Sequence, residues 1–320
     1  MKIYKAITRV PGGLMVVPLF IGMVVNTFFP NLLKIGGFTQ ALSGTGYPTI
    51  LGMYLFVAGS KMSLKTAPRM LVRGLGIFIS KVGVATVSAL IVAKLFGGNL
   101  LGLSALAVMA AMANTNGGMF LALTSVMGDE EDAGTYVVQS IETGPFLPML
   151  IFVGAGLAVI PWLTMVSVIA PIFAGAILGN LDEDLRVFFG SHEPIIVPFM
   201  AFTLGQTINL GSVVTAGLPG ILLGITVVAV TGFICILVDR LLGGSGIAGA
   251  AASSTAGNSA VVPQSIAMAD KSYLPIAAAA TIQVSASVIV TAILTPLLTS
   301  WWYKRLSKAR EAKASAAAAS

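Results

Sequence analysis

The sequence predicts an all-α polytopic membrane protein with ten transmembrane helices in two inverted five-helix repeats. Three observations lead to this fold class. The composition is too apolar for a water-covered surface, apolar runs of membrane-spanning length recur along the chain, and the two halves resemble each other at a constant offset. Two of the ten spans, the fourth and the ninth, are predicted to be broken by polar residues.

The composition excludes a soluble domain. The chain of 320 residues is 56% hydrophobic and only 9% charged, and its mean hydropathy is +0.95. A soluble globular protein carries about 25% charged residues. The apolar runs of roughly 20 residues are long enough to cross about 30 Å of hydrocarbon as helices. They are continuous rather than alternating, which disfavours a transmembrane β-barrel.

The apolar runs define ten spans and an orientation. An even number of spans places both termini on one side, which we predict to be the cytoplasm. Of the Lys and Arg residues outside the membrane, only Lys34, Lys94 and Lys271 then face outward, as expected from the enrichment of basic residues on the cytoplasmic side. The net charge of +6 therefore reports topology, not binding to nucleic acid. The spans are predicted at about 11–29, 47–62, 74–96, 100–127, 133–159, 162–179, 194–211, 217–240, 245–269 and 273–302.

An internal repeat relates the two halves of the chain. The segment 48–64 matches the segment 194–210 without a gap, at an offset of 146 residues, and the same offset aligns 94–98 with 240–244. Each unit holds five spans, so the second unit enters the bilayer from the opposite face, an arrangement common in secondary transporters. A single helical bundle with accidental similarity is the alternative. We assign residues 1–160 to the first repeat, 161–305 to the second, and 306–320 to a disordered cytoplasmic tail.

The fourth span is interrupted at Asn114-Thr-Asn-Gly-Gly118 and the ninth at Ser253-Ser-Thr-Ala-Gly-Asn-Ser259. Unwound backbone survives at membrane depth only against protein or a water-filled cavity. Two interrupted spans in matching positions indicate a transporter binding site, and the free N–H groups of the half-helices suit an anionic solute. For the serines and threonines, packing between helices is the alternative role. The candidate substrate-binding residues are Asn114, Thr115, Asn116, Ser253, Ser254, Thr255 and Asn258.

Glu142 is the only acidic side chain that lies well inside a predicted span. An ionised carboxylate is costly at membrane depth, which makes Glu142 a candidate proton carrier. A sodium ligand and a fixed salt bridge with Lys81 are the alternatives. Gln283, its counterpart in the matched segments Ser140-Ile-Glu-Thr and Thr281-Ile-Gln-Val, and the neighbouring Gln139 complete the predicted coupling group.

Three further polar residues have open roles. Lys81 is expected to snorkel to the cytoplasmic face, to pair with Glu142, or to meet a substrate carboxylate. Gln206 and Asn209 are expected to form hydrogen bonds between helices, with substrate contact as a secondary role. The acidic runs 129–132 and 182–184 are predicted to be solvated loop charges rather than metal sites.

Several functional classes are disfavoured. The chain has no nucleotide-binding loop of the Gly-x-x-x-x-Gly-Lys-Ser/Thr type, so ATP-driven transport by this chain alone is not expected. Its one histidine lies outside the predicted spans, which argues against an intramembrane enzyme. Broken helices in inverted repeats favour a carrier over a channel. We expect no cofactor and no metal, only a coupling ion, either H⁺ or Na⁺.

Five segments resemble the 2-keto-3-deoxygluconate permease family, and they extend over nearly the whole chain. They are 7–20, 113–118, 140–145, 179–189 and 250–257. The resemblance implies a symporter of the bacterial inner membrane that takes up this sugar acid with protons. It also implies the fold of the bile acid/sodium symporter group, in which a core domain contains two crossing broken helices and a panel domain packs against it.

With the repeat, this assigns spans 3–5 and 8–10 to the core and spans 1, 2, 6 and 7 to the panel. The expected partners are a sugar acid and the lipid bilayer, and the expected oligomeric state is a monomer or a homodimer. A sodium-coupled symporter of another organic anion on the same fold is the alternative function.

Overall fold

The computed structural model describes residues 2–9, 13–62, 68–142, 144–207 and 210–318. These residues form helices almost throughout, which confirms the predicted all-α class. One short antiparallel hairpin interrupts them, with Asn99 opposite Ser104 and Leu100 opposite Leu103.

The first half of the chain consists mostly of short helices. Helix α5 ends in a π-helical segment, Ile91–Leu95, and a 3-10 turn, Ser140–Glu142, follows α9. The elements are α1 (Ile3–Arg9), α2 (Gly13–Phe28), α3 (Gly37–Gln40), α4 (Tyr47–Ser60), α5 (Pro68–Leu90), β1 (Asn99–Leu100), β2 (Leu103–Ser104), α6 (Ala105–Ala113), α7 (Gly117–Met127), α8 (Glu130–Gly134), α9 (Tyr136–Gln139) and α10 (Phe146–Gly154).

The second half contains longer helices. A π-helical segment, Val227–Thr231, joins α13 to α14, and a 3-10 turn, Gly257–Val261, leads into α16. The elements are α11 (Trp162–Leu181), α12 (Glu183–Gly205), α13 (Gly211–Thr226), α14 (Gly232–Leu241), α15 (Ile247–Ala251), α16 (Val262–Ala269) and α17 (Leu274–Ala318).

Fewer segments meet the length and hydropathy expected of a membrane span than the sequence predicted. Among the described residues, six helical runs are long and apolar enough to cross a bilayer, and a seventh is added if the bent pair 130–142 and 146–154 forms one span. Helix α4 has only 14 residues, and the apolar part of α2, Val17–Phe28, is shorter still. The chain is therefore a multi-pass membrane protein, while ten spans and an inverted repeat stay predictions.

Three segments differ from their prediction, one by a bend, one by an earlier start and one by its helical structure. The fifth span, predicted as one helix, turns by 62° between α9 and α10, where Gly144 has a φ of 89° and Pro145 lacks an N–H. The seventh begins at Glu183, well before residue 194, because Asp182 caps α12 by accepting from Asp184 N at 2.8 Å. The tail expected to be disordered continues α17 as helix to Ala318, consistent with the high helix propensity of alanine.

The helices pack in two groups. Helices α2, α4, α11 and α12 contact one another and form the first group, while α5, α6, α7 and α13 to α17 form the second. Glycines bring backbones of the first group together: a Cβ on Gly175 would lie 2.0 Å from Phe56 O, and one on Gly205 would lie 2.2 Å from Leu19 O. Such small residues are typical of helix contacts in membranes.

A buried charge cluster holds one end of the second group. The Arg73 side chain is 2% exposed, and its guanidinium forms ion pairs with Glu131, Asp132 and Asp239. Ser245 Oγ also donates to Asp132 at 2.9 Å. The prediction that run 129–132 is solvated is therefore wrong for Asp132, because the ends of α5, α8 and α14 meet there and enclose its carboxylate.

A second acidic residue connects elements at another end of the bundle. The Val159 N–H donates to Asp270 Oδ2 at 2.8 Å, and the Ser272 N–H donates to Oδ1 at 3.0 Å. The first of these bonds is the main reason why the pKa of the Asp270 carboxyl lies below its usual range. Asp270 thereby connects the segment after α10 to the segment after α16.

Candidate functional site

A cavity of about 700 Å³ lies between the two helix groups. Helices α2, α4 and α12 form one wall, and α7, α9 and the turn after Ala256 form the other. The exposed residues Thr8 and Lys61 line its outer part, while Thr115 and Asn116 line its inner part. Its polar lining consists of Thr8, Tyr54, Lys61, Thr115, Asn116, Tyr136, Ser140, Glu193 and Asn258.

The first break ends α6 at Ala113 and begins α7 at Gly117. Asn114 and Asn116 have extended backbone conformations, and Asn116 Oδ1 accepts from Met119 N at 3.1 Å. This is the N-cap role for which asparagine is favoured. The N-terminus of α7 thus borders the cavity, and its positive dipole end favours an anion there.

Gly117 and Gly118 differ in what surrounds them. A Cβ on Gly117 would lie 1.9 Å from the Tyr136 hydroxyl, so the tyrosine approaches the start of α7 only because residue 117 is a glycine. A Cβ on Gly118 would meet only Asn116 Oδ1, at 3.9 Å. Gly118 therefore leaves open space in the cavity.

The second break separates α15 from the 3-10 turn that precedes α16. Hydroxyls of α17 satisfy its backbone: Thr291 Oγ1 accepts from Thr255 N at 3.1 Å, and Thr295 Oγ1 donates to Ser253 O at 2.7 Å. The Thr255 and Ser287 hydroxyls lie 2.7 Å apart. These α17 residues were not among the predicted site residues, although their spacing of four places them on one helix face.

The two breaks are hydrogen-bonded to each other. The Asn116 N–H donates to Ser254 Oγ at 3.0 Å, and the Ala256 N–H donates to Asn114 O at 3.2 Å. Thr255 Oγ1 also donates to the carbonyl of Ala111, at 3.0 Å. Each break thus supplies partners for the backbone groups that the other leaves unpaired.

Lys81 lies at this junction and is completely buried. Its ammonium donates to Thr115 Oγ1 at 2.9 Å, to Ala252 O at 2.6 Å and to Ser254 O at 2.8 Å. It therefore does not snorkel, and it forms no ion pair with Glu142 among the described residues.

Glu142 contacts the same threonine through its backbone N–H rather than its hydroxyl. Its Oε1 accepts from Thr115 N at 3.0 Å, its Oε2 has no partner among the described residues, and the residue is 1% exposed. Thr115 in turn lines the cavity. The carboxyl is thus one residue away from the cavity surface.

The two glutamines predicted to act with Glu142 lie outside the cavity lining. Gln139 Nε2 donates to Gly74 O at 3.1 Å and joins α9 to α5. Gln283 Nε2 donates to Gly102 O at 2.7 Å and holds the hairpin loop against α17. Both are buried, and in both the side-chain oxygen has no partner among the described residues.

Of the other predicted polar residues, Gln206 joins helices of the first group by donating to Gly22 O at 3.0 Å. Asn209 lies outside the described residues. Gln206 does not line the cavity.

The predicted substrate-binding residues separate into two sets. Thr115, Asn116 and Asn258 line the cavity. The others lie behind the cavity surface and are at most 1% exposed. These buried residues are Asn114, Ser253, Ser254 and Thr255.

Residues of the first helix group complete the cavity, and they were not among the predicted site residues. The Asn258 amide donates to the Tyr54 hydroxyl and connects the second break to α4. Lys61 and Glu193 form an ion pair between α4 and α12 near the outer part. The sequence offered only a weak signal for them, because a tyrosine inside an apolar run also fits helix packing.

Interrupted helices that meet beside a polar cavity in a multi-pass membrane protein are typical of secondary transporters. Comparison with known proteins identifies the family. Residues 4–308 match the sequence model of the 2-keto-3-deoxygluconate permease family, and the chain belongs to this family. It is a transporter and not an enzyme.

Individual relatives match over almost their whole length. The chain is 50% identical to 2-keto-3-deoxygluconate permease 1 of Salmonella typhimurium, over 96% of this chain and 98% of that protein. It is 43% identical to the 2-keto-3-deoxygluconate permease of Bacillus subtilis, over 96% of each chain. It is 41% identical to the permease of the same name from Escherichia coli, over 98% of each chain.

Proposed function

We propose that this protein takes up 2-keto-3-deoxygluconate, or a closely similar sugar acid, together with protons by alternating access. The main observation in support is the cavity that ends at the first break, where it is lined by Thr115, Asn116 and the N-terminus of α7. Family membership supplies the substrate, since the relatives named above are permeases of this sugar acid.

The chemistry of the cavity suits the two ends of such a substrate. The carboxylate lies against the first N–H groups of α7, at Gly117 and Gly118, where the helix dipole is positive. The hydroxyl groups meet the amides of Asn116 and Asn258 and the hydroxyl of Tyr54, which both donate and accept hydrogen bonds.

The position of the cavity between the two helix groups supports alternating access. We assign the first group to a panel domain and the second to a core domain that moves against it. The outer part of the cavity lies beside Thr8 and Lys61, which the distribution of basic residues predicts to be on the cytoplasmic side. This supports an inward-facing state of a bacterial inner-membrane protein with both termini in the cytoplasm.

Glu142 is proposed to carry the coupling proton. The carboxyl is buried, its Oε1 holds the backbone of Thr115, and its Oε2 is unpartnered among the described residues. Protonation removes a buried charge and converts an acceptor into a donor. Because Thr115 donates to this carboxyl and also lines the cavity, protonation of Glu142 alters a contact of the cavity wall.

The test is uptake of 2-keto-3-deoxygluconate into proteoliposomes under an imposed proton or sodium gradient. We expect accumulation with an inward proton gradient and none with sodium alone. Glu142→Gln should still exchange labelled substrate across the membrane but should not accumulate it, because glutamine cannot release a proton.

Accumulation that requires Na⁺ and ignores pH would instead establish a sodium symporter. Normal proton-driven accumulation by Glu142→Gln would show that the carboxyl is structural. Absence of uptake of any sugar acid by the well-folded protein would refute the proposed substrate class.

A further inference from the structure

The surroundings of Lys81 resemble a coordination site for a monovalent cation. Its ammonium is completely buried and lies between the two breaks. It contacts three oxygens at 2.6 to 2.9 Å: the Thr115 hydroxyl and the carbonyls of Ala252 and Ser254. A lysine ammonium has three N–H donors, so all of them are used.

The origin of these oxygens explains why a cation is favoured here. The carbonyls of Ala252 and Ser254 lie where α15 ends and the second break begins. The Ala252 carbonyl also accepts from Ser254 N at 2.8 Å, whereas among the described residues the Ser254 carbonyl has Lys81 as its partner. Carbonyls of unwound segments cannot remain unpaired at membrane depth, and in transporters such carbonyls coordinate small cations. The third oxygen comes from the first break, so whatever lies in this position links both breaks.

We propose that the Lys81 ammonium is a tethered cation that permanently occupies an oxygen site between the two breaks. It takes the position that a dissociable monovalent cation would otherwise fill. When it is deprotonated, the Glu142 carboxylate, which holds the backbone of the same threonine, supplies a compensating negative charge. Lys81 is thus a positioning residue: it keeps the breaks together without a free ion.

This arrangement predicts what truncation of the lysine does. Lys81→Ala leaves three oxygens facing an empty position of cation size. A small cation from solution should then bind there and restore the junction. If Lys81 served only to fill space, no ion would restore what the truncation removes.

The first measurement is the melting temperature of purified Lys81→Ala in sodium, potassium, methylammonium or choline chloride at equal ionic strength. We expect a lower melting temperature in choline, and a concentration-dependent recovery with at least one of the three small cations. The wild type should melt alike in all four salts. Lys94→Ala, which removes an exposed lysine near the end of the same helical run, is the matched control and should behave like the wild type.

The melting test does not depend on the substrate, so its outcome is separate from that of the proposed function. The second measurement, substrate exchange in proteoliposomes, does rest on that function. Exchange by Lys81→Ala in choline should fall by about tenfold or more, since three buried hydrogen bonds are lost. It should recover at least partly in the cation that restores the melting temperature.

Three results would overturn the proposal. One is a well-folded Lys81→Ala that no small cation stabilises more than choline does. Another is a wild type that sodium stabilises as much as it stabilises the variant, because its site would then not be occupied by Lys81. The third is a variant that cannot be purified in a folded form in any of the four salts. If the variant is unstable in choline but folds when it is purified in methylammonium, this recovery supports the proposal.

Discussion

Asn116 has two tasks that mutation can separate. Its Oδ1 caps α7 by accepting from Met119 N at 3.1 Å, and the residue also lines the cavity. Asn116→Ala removes both contributions. Asn116→Ser keeps a hydroxyl that can cap the helix but removes the amide that reaches the substrate.

The magnitudes follow from these two contacts. Loss of an N-cap costs about 0.5–2 kcal/mol of stability, so Asn116→Ala should lower the melting temperature, whereas Asn116→Ser should remain near the wild type. Loss of a buried hydrogen bond to the sugar acid costs about 1–3 kcal/mol, or roughly 5–150-fold in affinity. Both variants should show this loss of affinity.

The assay is calorimetric binding of 2-keto-3-deoxygluconate to purified protein, with melting temperature measured in parallel. Asn114→Ala is the control, because the Asn114 amide lies behind the cavity and has no hydrogen-bond partner among the described residues. Its affinity should stay within about threefold of the wild type, as for a substitution without ligand contact. Wild-type affinity of Asn116→Ser, or a larger loss in Asn114→Ala, would refute this reasoning.

Three further predictions concern packing, charge and pH. Gly118→Leu should fold and block uptake, because the added side chain extends into the open cavity. Gly117→Ala should lower the melting temperature, because its Cβ would lie 1.9 Å from a tyrosine hydroxyl. Equal melting temperatures of the two variants would contradict this prediction. Arg73→Met should destabilise the protein by about 3–5 kcal/mol because it leaves buried carboxylates without their cation. The exposed Arg69→Met should lower the free energy of unfolding by less than about 1 kcal/mol, and a denaturation assay measures both variants. The lowered pKa of Asp270 stabilises the fold above the usual value of about 3.9, and this stability is lost as the pH falls through the lowered pKa. Asp270→Asn should therefore show a shallower decline of melting temperature in acid, and an unchanged decline would exclude this contribution.

The positions of the breaks were predictable because clusters of polar residues that disfavour a continuous helix are rare within apolar runs of membrane-spanning length. The clusters at 114–118 and 253–259 contain residues that favour caps and turns, and helices α6, α7 and α15 begin or end beside them. The local sequence was therefore sufficient to locate the interruptions.

Which polar residues face the cavity was not predictable from the sequence. Asn114 and Asn116 are two residues apart, yet only Asn116 lines the cavity, and that depends on the turn of the chain between α6 and α7. Tyr54 contributes to the site only because α4 packs across the cavity from the second break. Such contacts arise from tertiary packing, which no local pattern encodes.

The partners of the buried charged residues could not be predicted from local sequence patterns either. Asp132 lies in an acidic run that is typical of a solvated loop, yet Arg73 meets it from another helix. The sequence left three roles open for Lys81, and its actual partners are mainly backbone carbonyls, which carry no sequence signal.

The most direct test of the central claim is an experimental structure with 2-keto-3-deoxygluconate bound. We predict that the substrate lies in the cavity between the helix groups, with its carboxylate within hydrogen-bond distance of the N–H groups of Gly117 or Gly118. Its hydroxyl groups should contact Asn116 and Asn258. A substrate bound away from the start of α7, or with its carboxylate directed away from that helix, would contradict the account.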